Sequence, residues 1–126
     1  MSEDFDGLLA RIRKEAEDGI KSELARRGFV DRSVFGMFMP LTIDIITEAG
    51  KASIIISKDG SIEMRRQLSE NPDITLRVDF GMLSELYHSR SRQEFRAAER
   101  QGRVEIRSNT AKGSLSEARF RELLGG

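Results

Sequence analysis

Cysteine is absent from the chain, which excludes disulfides, thiolate metal sites and cysteine nucleophiles. Histidine occurs once, at His88, and one imidazole without a Gly-x-Ser-x-Gly turn does not make a serine hydrolase. His88 falls instead at the C-terminal end of a predicted helix, where a partly charged imidazole is favourable. His-Glu-x-x-His spacings, acidic calcium loops and the glycine-rich loops that cradle nucleotide phosphates are also missing, so no metal, no cofactor and no enzymatic activity are expected. Net charge is missing too. The 21 Lys and Arg are matched by 21 Asp and Glu, which removes the positive field of a general nucleic-acid binder. No run approaches about 18 apolar residues, and Met1 is followed by Ser2-Glu3-Asp4 rather than by a basic and then apolar leader. These absences lead us to expect a cytoplasmic protein with at most peripheral membrane contact, and its 126 residues suit a single domain with one core.

What is present is organised around residues 71–87. Ile74, Leu76 and Val78 alternate with Thr75, Arg77 and Asp79, the pattern of a half-buried strand. After Asp79 the period changes. Phe80, Leu83 and Tyr87, with Met82 and Leu86 beside them, fall on one side of a helix for which Asp79 is a good N-cap. Pro72-Asp73-Ile74-Thr75-Leu76, the acidic residue after it and the Leu-rich helix resemble the middle of a sterol carrier protein type 2 domain. At the expected distance, Gln101-Gly102-Arg103-Val104-Glu105-Ile106 and then Asn109 resemble that family's Gln-Gly-Lys-Leu-Lys-Ile and following Asn. The resemblance covers roughly Leu41 to Leu124.

Upstream, Phe5, Leu8, Leu9, Ile12, Ala16, Ile20 and Leu24 recur at three- and four-residue steps and predict a helix within residues 1–28. Ser2 suits its start, and Arg26, Arg27 and Gly28 suit its stop. Gly19 opposes it, at about 1 kcal/mol against Ala. Its polar side is not selectively basic, so packing on a sheet explains it better than a membrane surface does. Val34-Phe35-Gly36-Met37-Phe38-Met39-Pro40 is the most apolar stretch and shows neither period, which reads as a loop. Its adaptable methionines suit a cavity wall, a core plug or a dimer contact.

Three short strands follow at Leu41–Thr47, Lys51–Ser57 and Ser61–Arg66, with Asp59-Gly60 as a hairpin turn. Ile54-Ile55-Ile56 is apolar on both faces and belongs inside the sheet. Asp44, Glu63, Arg77 and Asp79 read as a solvated sheet face. Capping boxes Ser91-x-x-Glu94 and Ser114-x-x-Glu117 announce two later helices, the second over residues 114–124. With Val104–Arg107 the sheet of residues 41–108 reaches five strands. Phe120 and Leu124, one turn apart, are the expected attachment of the last helix, which Arg119, Arg121 and Glu122 otherwise dilute.

The expected architecture is α+β: a five-stranded, mainly antiparallel sheet covered by a long N-terminal helix and C-terminal helices. The resemblance implies noncatalytic binding or transfer of a lipid or fatty acyl ligand in a hydrophobic cavity. If the Phe35–Met39 loop closes over the sheet near Leu86, Phe95 and the last helix, the ligand-binding residues are Phe35, Phe38, Met39, Met82, Leu86, Phe95, Phe120 and Leu124. Glu99 and Arg100 stand before Gln101, where the family has larger apolar residues, which speaks against a large tunnel and against sterol. Arg92, Arg96 and Arg100 are one helical turn apart and read either as a solvated face or as an anion-binding site for a phosphate, carboxylate or lipid headgroup. The rival use of the same fold is a protein-interaction or homodimerisation module with a filled core. A more distant one is an accessory subunit that presents an isoprenoid or quinone intermediate to an enzyme.

Overall fold

A computed structural model describes residues 4–26 and 28–123. The elements run α1 (Phe5–Arg26), α2 (Phe29–Met37), β1 (Leu41–Ile46), β2 (Lys51–Ile56), β3 (Ile62–Arg65), β4 (Ile74–Val78), α3 (Phe80–Ser89), α4 (Arg92–Arg100), β5 (Val104–Ser108) and α5 (Ala111–Leu123). The strands form one sheet in the order β3-β2-β1-β4-β5. Only the β1–β4 pairing is parallel, as expected of a mainly antiparallel sheet in an α+β chain, and β2 is an interior strand.

Register puts the alternate apolar residues of all strands on one face. Ile43 lies opposite Ile54 and Ile74, Ile45 opposite Ala52 and Leu76, and Val78 opposite Val104. This face is closed by Leu8 and Leu9 of α1, Leu83 and Leu86 of α3, Phe95 of α4 and Phe120 of α5, all in one buried cluster. Because side chains alternate along a strand, the other face carries Thr42, Asp44, Ser53, Thr75, Arg77, Glu105 and Arg107. The expectation that this face is simply solvated fails at Asp44, which is 3% exposed. The connection from β3 to β4 crosses it there. The Ser69 N–H donates to both Asp44 carboxylate oxygens at 3.3 and 3.1 Å, and the Ser69 and Ser53 hydroxyls lie 2.6 Å apart. Burying Asp44 without those donors would leave its charge uncompensated.

The α1 helix lies from one end of the sheet to the other. Phe5 meets the Phe80 ring edge to face at 6.2 Å beneath the β1–β2 turn, where a Cβ on Gly50 would fall 2.7 Å from the Phe5 ring. Ile20 and Leu24 reach Gly60 in the β2–β3 turn, whose φ of 88° fits the Asp59-Gly60 hairpin signal. Between these ends, Arg13 Nε donates to the Ile62 carbonyl and Glu17 accepts the Ile62 N–H, each at 2.8 Å. This covers part of the free edge of β3, which would otherwise invite further strand pairing. Tyr87 of α3 donates its hydroxyl to Glu15. Burial, that bond and the Glu15 charge push the phenol up to about 12.

The helix starts show how local and distant contacts divide the work. Asp79 accepts the Met82 N–H at 2.8 Å and Ser91 accepts the Glu94 N–H at 3.2 Å, the capping expected of both. For α1 the cap is Asp4, whose carboxylate accepts the Gly7 N–H at 2.8 Å; Ser2 and Arg27 lie outside the described residues. Two expectations are corrected. The Val34–Pro40 stretch is not a loop, because α2 runs through Met37 and ends at Phe38. Its apolar residues point two ways, Phe35 toward the core and Met37 into solvent at 77% exposure, so no single-face period shows in the sequence. The last helix begins at Ala111 rather than Ser114, since the Thr110 hydroxyl accepts the Gly113 N–H at 2.9 Å and is itself fixed by donating to Asp73 at 2.7 Å.

A Cβ at Gly113 would stand 2.1 Å from the Asp73 carbonyl oxygen, a backbone atom, whereas Gly19 has nothing within 4 Å. In denaturant unfolding, Gly113→Ala should therefore destabilise by about 1–3 kcal/mol. Gly19→Ala should stabilise by up to about 1 kcal/mol. Equal and small shifts at both would contradict this packing.

Candidate functional site

The residues expected to line a cavity separate into three groups. Met82, Leu86, Phe95 and Phe120 belong to the buried cluster, with Phe95 only 1% exposed. Phe35 and Met39 pack against that cluster from the end of α2, while Phe38 is half-buried. Leu124 lies outside the described residues. The strand-to-helix passage at Asp79 turns Met82 and Leu86 back over the sheet. The capping box at Ser91 then sends α4 across with Phe95 and Ala98 inward. The sheet face beneath α3, α4 and α5 is thus close-packed.

Two clefts lie elsewhere. One, of about 630 Å³, opens between the start of α1, the β1–β2 turn and the start of α3, and is lined by Asp4, Phe5, Asp6, Gly50, Lys51, Arg66 and Phe80 among others. The other, of about 90 Å³, is a polar dent over Thr75, Arg77, Glu105, Arg107 and Asn109. Neither touches the residues above.

Arg92, Arg96 and Arg100 are all exposed, on the sides of α4 away from its buried Phe95 and Ala98, and form no ion pair with another described residue. Arg121, which in the sequence only dilutes the last helix, lies against the apolar cluster. Arg121 of α5 donates from Nη1 to Glu99 Oε1 at 2.9 Å, and its Nη2 lies 2.7 Å from Glu99 Oε2. Its guanidinium carbon lies 5.7 Å from the centroid of the Phe95 ring, and Glu117 stands 3.9 Å away. The hydrogen bond from Arg121 is the main reason the Glu99 carboxyl is held below its usual 4.5, and the same bond raises Arg121. Glu117 and Arg121 were readable as an i,i+4 pair. Nothing local connects Arg121 to Glu99, 22 residues earlier.

At its other end α5 is tied to the sheet. Lys112 Nζ donates to the Pro40 carbonyl at 2.6 Å and lies 3.6 Å from the Asp73 carboxylate. Leu115, one turn on, is 70% exposed, so among the described residues the helix attaches at its start, through Glu117, which accepts the Ser108 hydroxyl at 3.3 Å, at Phe120 and at Arg121. Among the described residues no helix is long and apolar enough to cross a membrane, and no group of three or more His, Cys, Asp or Glu is placed to hold a metal ion.

No protein-family model and no curated protein matches the chain. Solved structures do. The sterol carrier protein domain 2 of Helicoverpa armigera superposes with a TM-score of 0.56 at 14% identity, over 92% of this chain and 87% of that one. The UbiJ-SCP2 ubiquinone synthesis protein matches with a TM-score of 0.50 at 12% identity, over 94% and 91% of the two chains. The inverting sec-alkylsulfatase Pisa1 from Pseudomonas sp. matches with a TM-score of 0.52 at 16% identity, over 75% of this chain and only 14% of the enzyme. The architecture is therefore the sterol carrier protein type 2 fold, as the two sequence motifs implied.

The Glu99–Arg121 pair sets a pH dependence. A carboxyl whose folded value lies below 4.5 contributes its full stabilisation above that value and loses it as pH falls through the folded value. Both partners are about a third exposed, so water screens the pair and its worth is at most about 1 kcal/mol. Glu99→Gln should lower the unfolding midpoint slightly at neutral pH and should match the wild type in acid. A difference that persists unchanged into acid would contradict this assignment.

Proposed function

We propose that the chain binds, and transfers, a lipid or fatty acyl ligand without chemically altering it, the acyl chain entering the apolar layer between the sheet and α3, α4 and α5. The observation that carries this reading is the fold, matched over nearly the whole of both a sterol carrier domain and the UbiJ-SCP2 protein. Two features of this chain support it. Met82 in the core and Met39 and Phe35 at its margin are flexible or planar groups, able to re-pack around a guest. The last helix is attached at few points and leaves Leu115 outside. Burying a methylene is worth about 0.8 kcal/mol, so an acyl chain of roughly a dozen methylenes supplies enough to displace such a helix and to offset the ordering costs of binding. In the resting state the layer is filled by the protein's own side chains.

Native mass spectrometry of the purified protein, alone and after incubation with a long-chain fatty acid, tests this reading. The expected result is a monomer that gains the mass of one lipid. A chain that takes up no lipid and runs as a dimer would overturn it in favour of an interaction module.

A further inference from the structure

The carrier reading leaves open which group receives the polar end of the ligand, and the inference that follows rests on that reading. We propose that Arg121 is the receptor for the ligand's carboxylate, which takes the place of Glu99 on its guanidinium. Arg121 stands over the face of Phe95 and next to the buried Phe120, at the seam where α5 meets α4. Glu99 already holds it in a two-point fork at 2.9 and 2.7 Å, the arrangement in which a planar guanidinium binds a carboxylate best. The group that occupies the fork is thus the same chemical group as a fatty acid head.

Carboxylate for carboxylate leaves the number of charges at the fork unchanged. The exchange is then nearly neutral electrostatically, and burial of the acyl chain decides its direction. Glu99 is 34% exposed, so water meets it as it leaves. Arg96, three residues earlier on the same helix, is exposed and has no ion pair with another described residue, and this spacing brings side chains together on a helix surface. The arginine column of α4 becomes the place where the displaced Glu99 rests, rather than the headgroup site. The start of α5 stays pinned through Thr110 and Lys112 to Asp73, so the exchange moves the far end of the helix about a fixed end.

The test compares a fatty acid with the fatty alcohol of the same chain length, each titrated at neutral pH by calorimetry into wild type, Glu99→Gln, Arg121→Gln and Arg121→Lys. Wild type should prefer the acid by about tenfold or more, because only the acid makes charge-assisted, two-point bonds. Glu99→Gln should tighten the acid several-fold more than it tightens the alcohol, whose entry gains only from the loosened helix. Arg121→Gln should abolish the preference while still binding the alcohol, which also reports that the domain is folded, and Arg121→Lys should restore only part of it. An acid-to-alcohol ratio unaffected by Glu99→Gln and by Arg121→Gln would overturn the assignment and leave the carrier function standing. Failure of wild type to bind either compound would sink the carrier reading, and this inference with it.

Discussion

Asp73 is the residue on which the arrangement of layers depends. It is buried at the point where β1, β4 and α5 converge, and every polar group it owns is used. Its carboxylate accepts the Thr42 N–H at 2.9 Å and the Thr110 hydroxyl at 2.7 Å. Its own N–H donates to the Thr42 carbonyl, and its carbonyl accepts the Asn109 N–H, each at 2.8 Å. A buried carboxylate is tolerated only when it is bonded in this way. One residue, through its side chain and its backbone, thereby ties together the parallel entry of β4 beside β1, the exit of β5 and the first turn of the last helix. Gly113 completes the junction because a side chain there would collide with the Asp73 carbonyl.

From that junction the two ends of α5 acquire different characters. The start is bound by hydrogen bonds to a rigid sheet corner. Beyond it, the described residues are held by the Ser108–Glu117 hydrogen bond, the Phe120 ring and the partly exposed Glu99–Arg121 pair, the last two being of the kind that a ligand with an apolar tail and an anionic head offers. On the proposed reading, a helix fixed at one end and replaceable at the other gives a filled core a route to becoming a binding site, without a standing cavity that would cost stability in the empty state.

Elements set by short-range rules were legible in the sequence. The alternation of Ile74, Leu76 and Val78, the caps at Asp79 and Ser91, and the Asp59-Gly60 turn each depend on residues within a few positions, and each stands where expected. What escaped was set at a distance. The start of α5 is placed by Asp73, 37 residues before Thr110. Asp44 is buried by a connection that returns over it at Ser69, 25 residues on. In the Val34–Met37 part of α2, Phe35 serves the core and Met37 faces solvent, so no period betrayed a helix there. The buried residues of α3, α4 and α5 that the proposed site uses were legible, because helical period marks the inward side. The Glu99–Arg121 pair was not, since it exists only once α5 has folded back on α4. Arg92, Arg96 and Arg100 drew attention because their spacing is regular, and regular spacing on a helix also describes a face turned to water.

The central claim is that an acyl chain enters beneath the last helix, among side chains that fill the space when it is empty. Nuclear Overhauser contacts between an isotope-labelled fatty acid and the protein test it most directly. The account predicts contacts from the acyl methylenes to Leu86, Phe95 and Phe120, with the resonances of Asp73 and Thr110 little changed. Contacts confined to the exposed Met37 and Leu115, or to the open cleft beside Phe5 and Phe80, would contradict it.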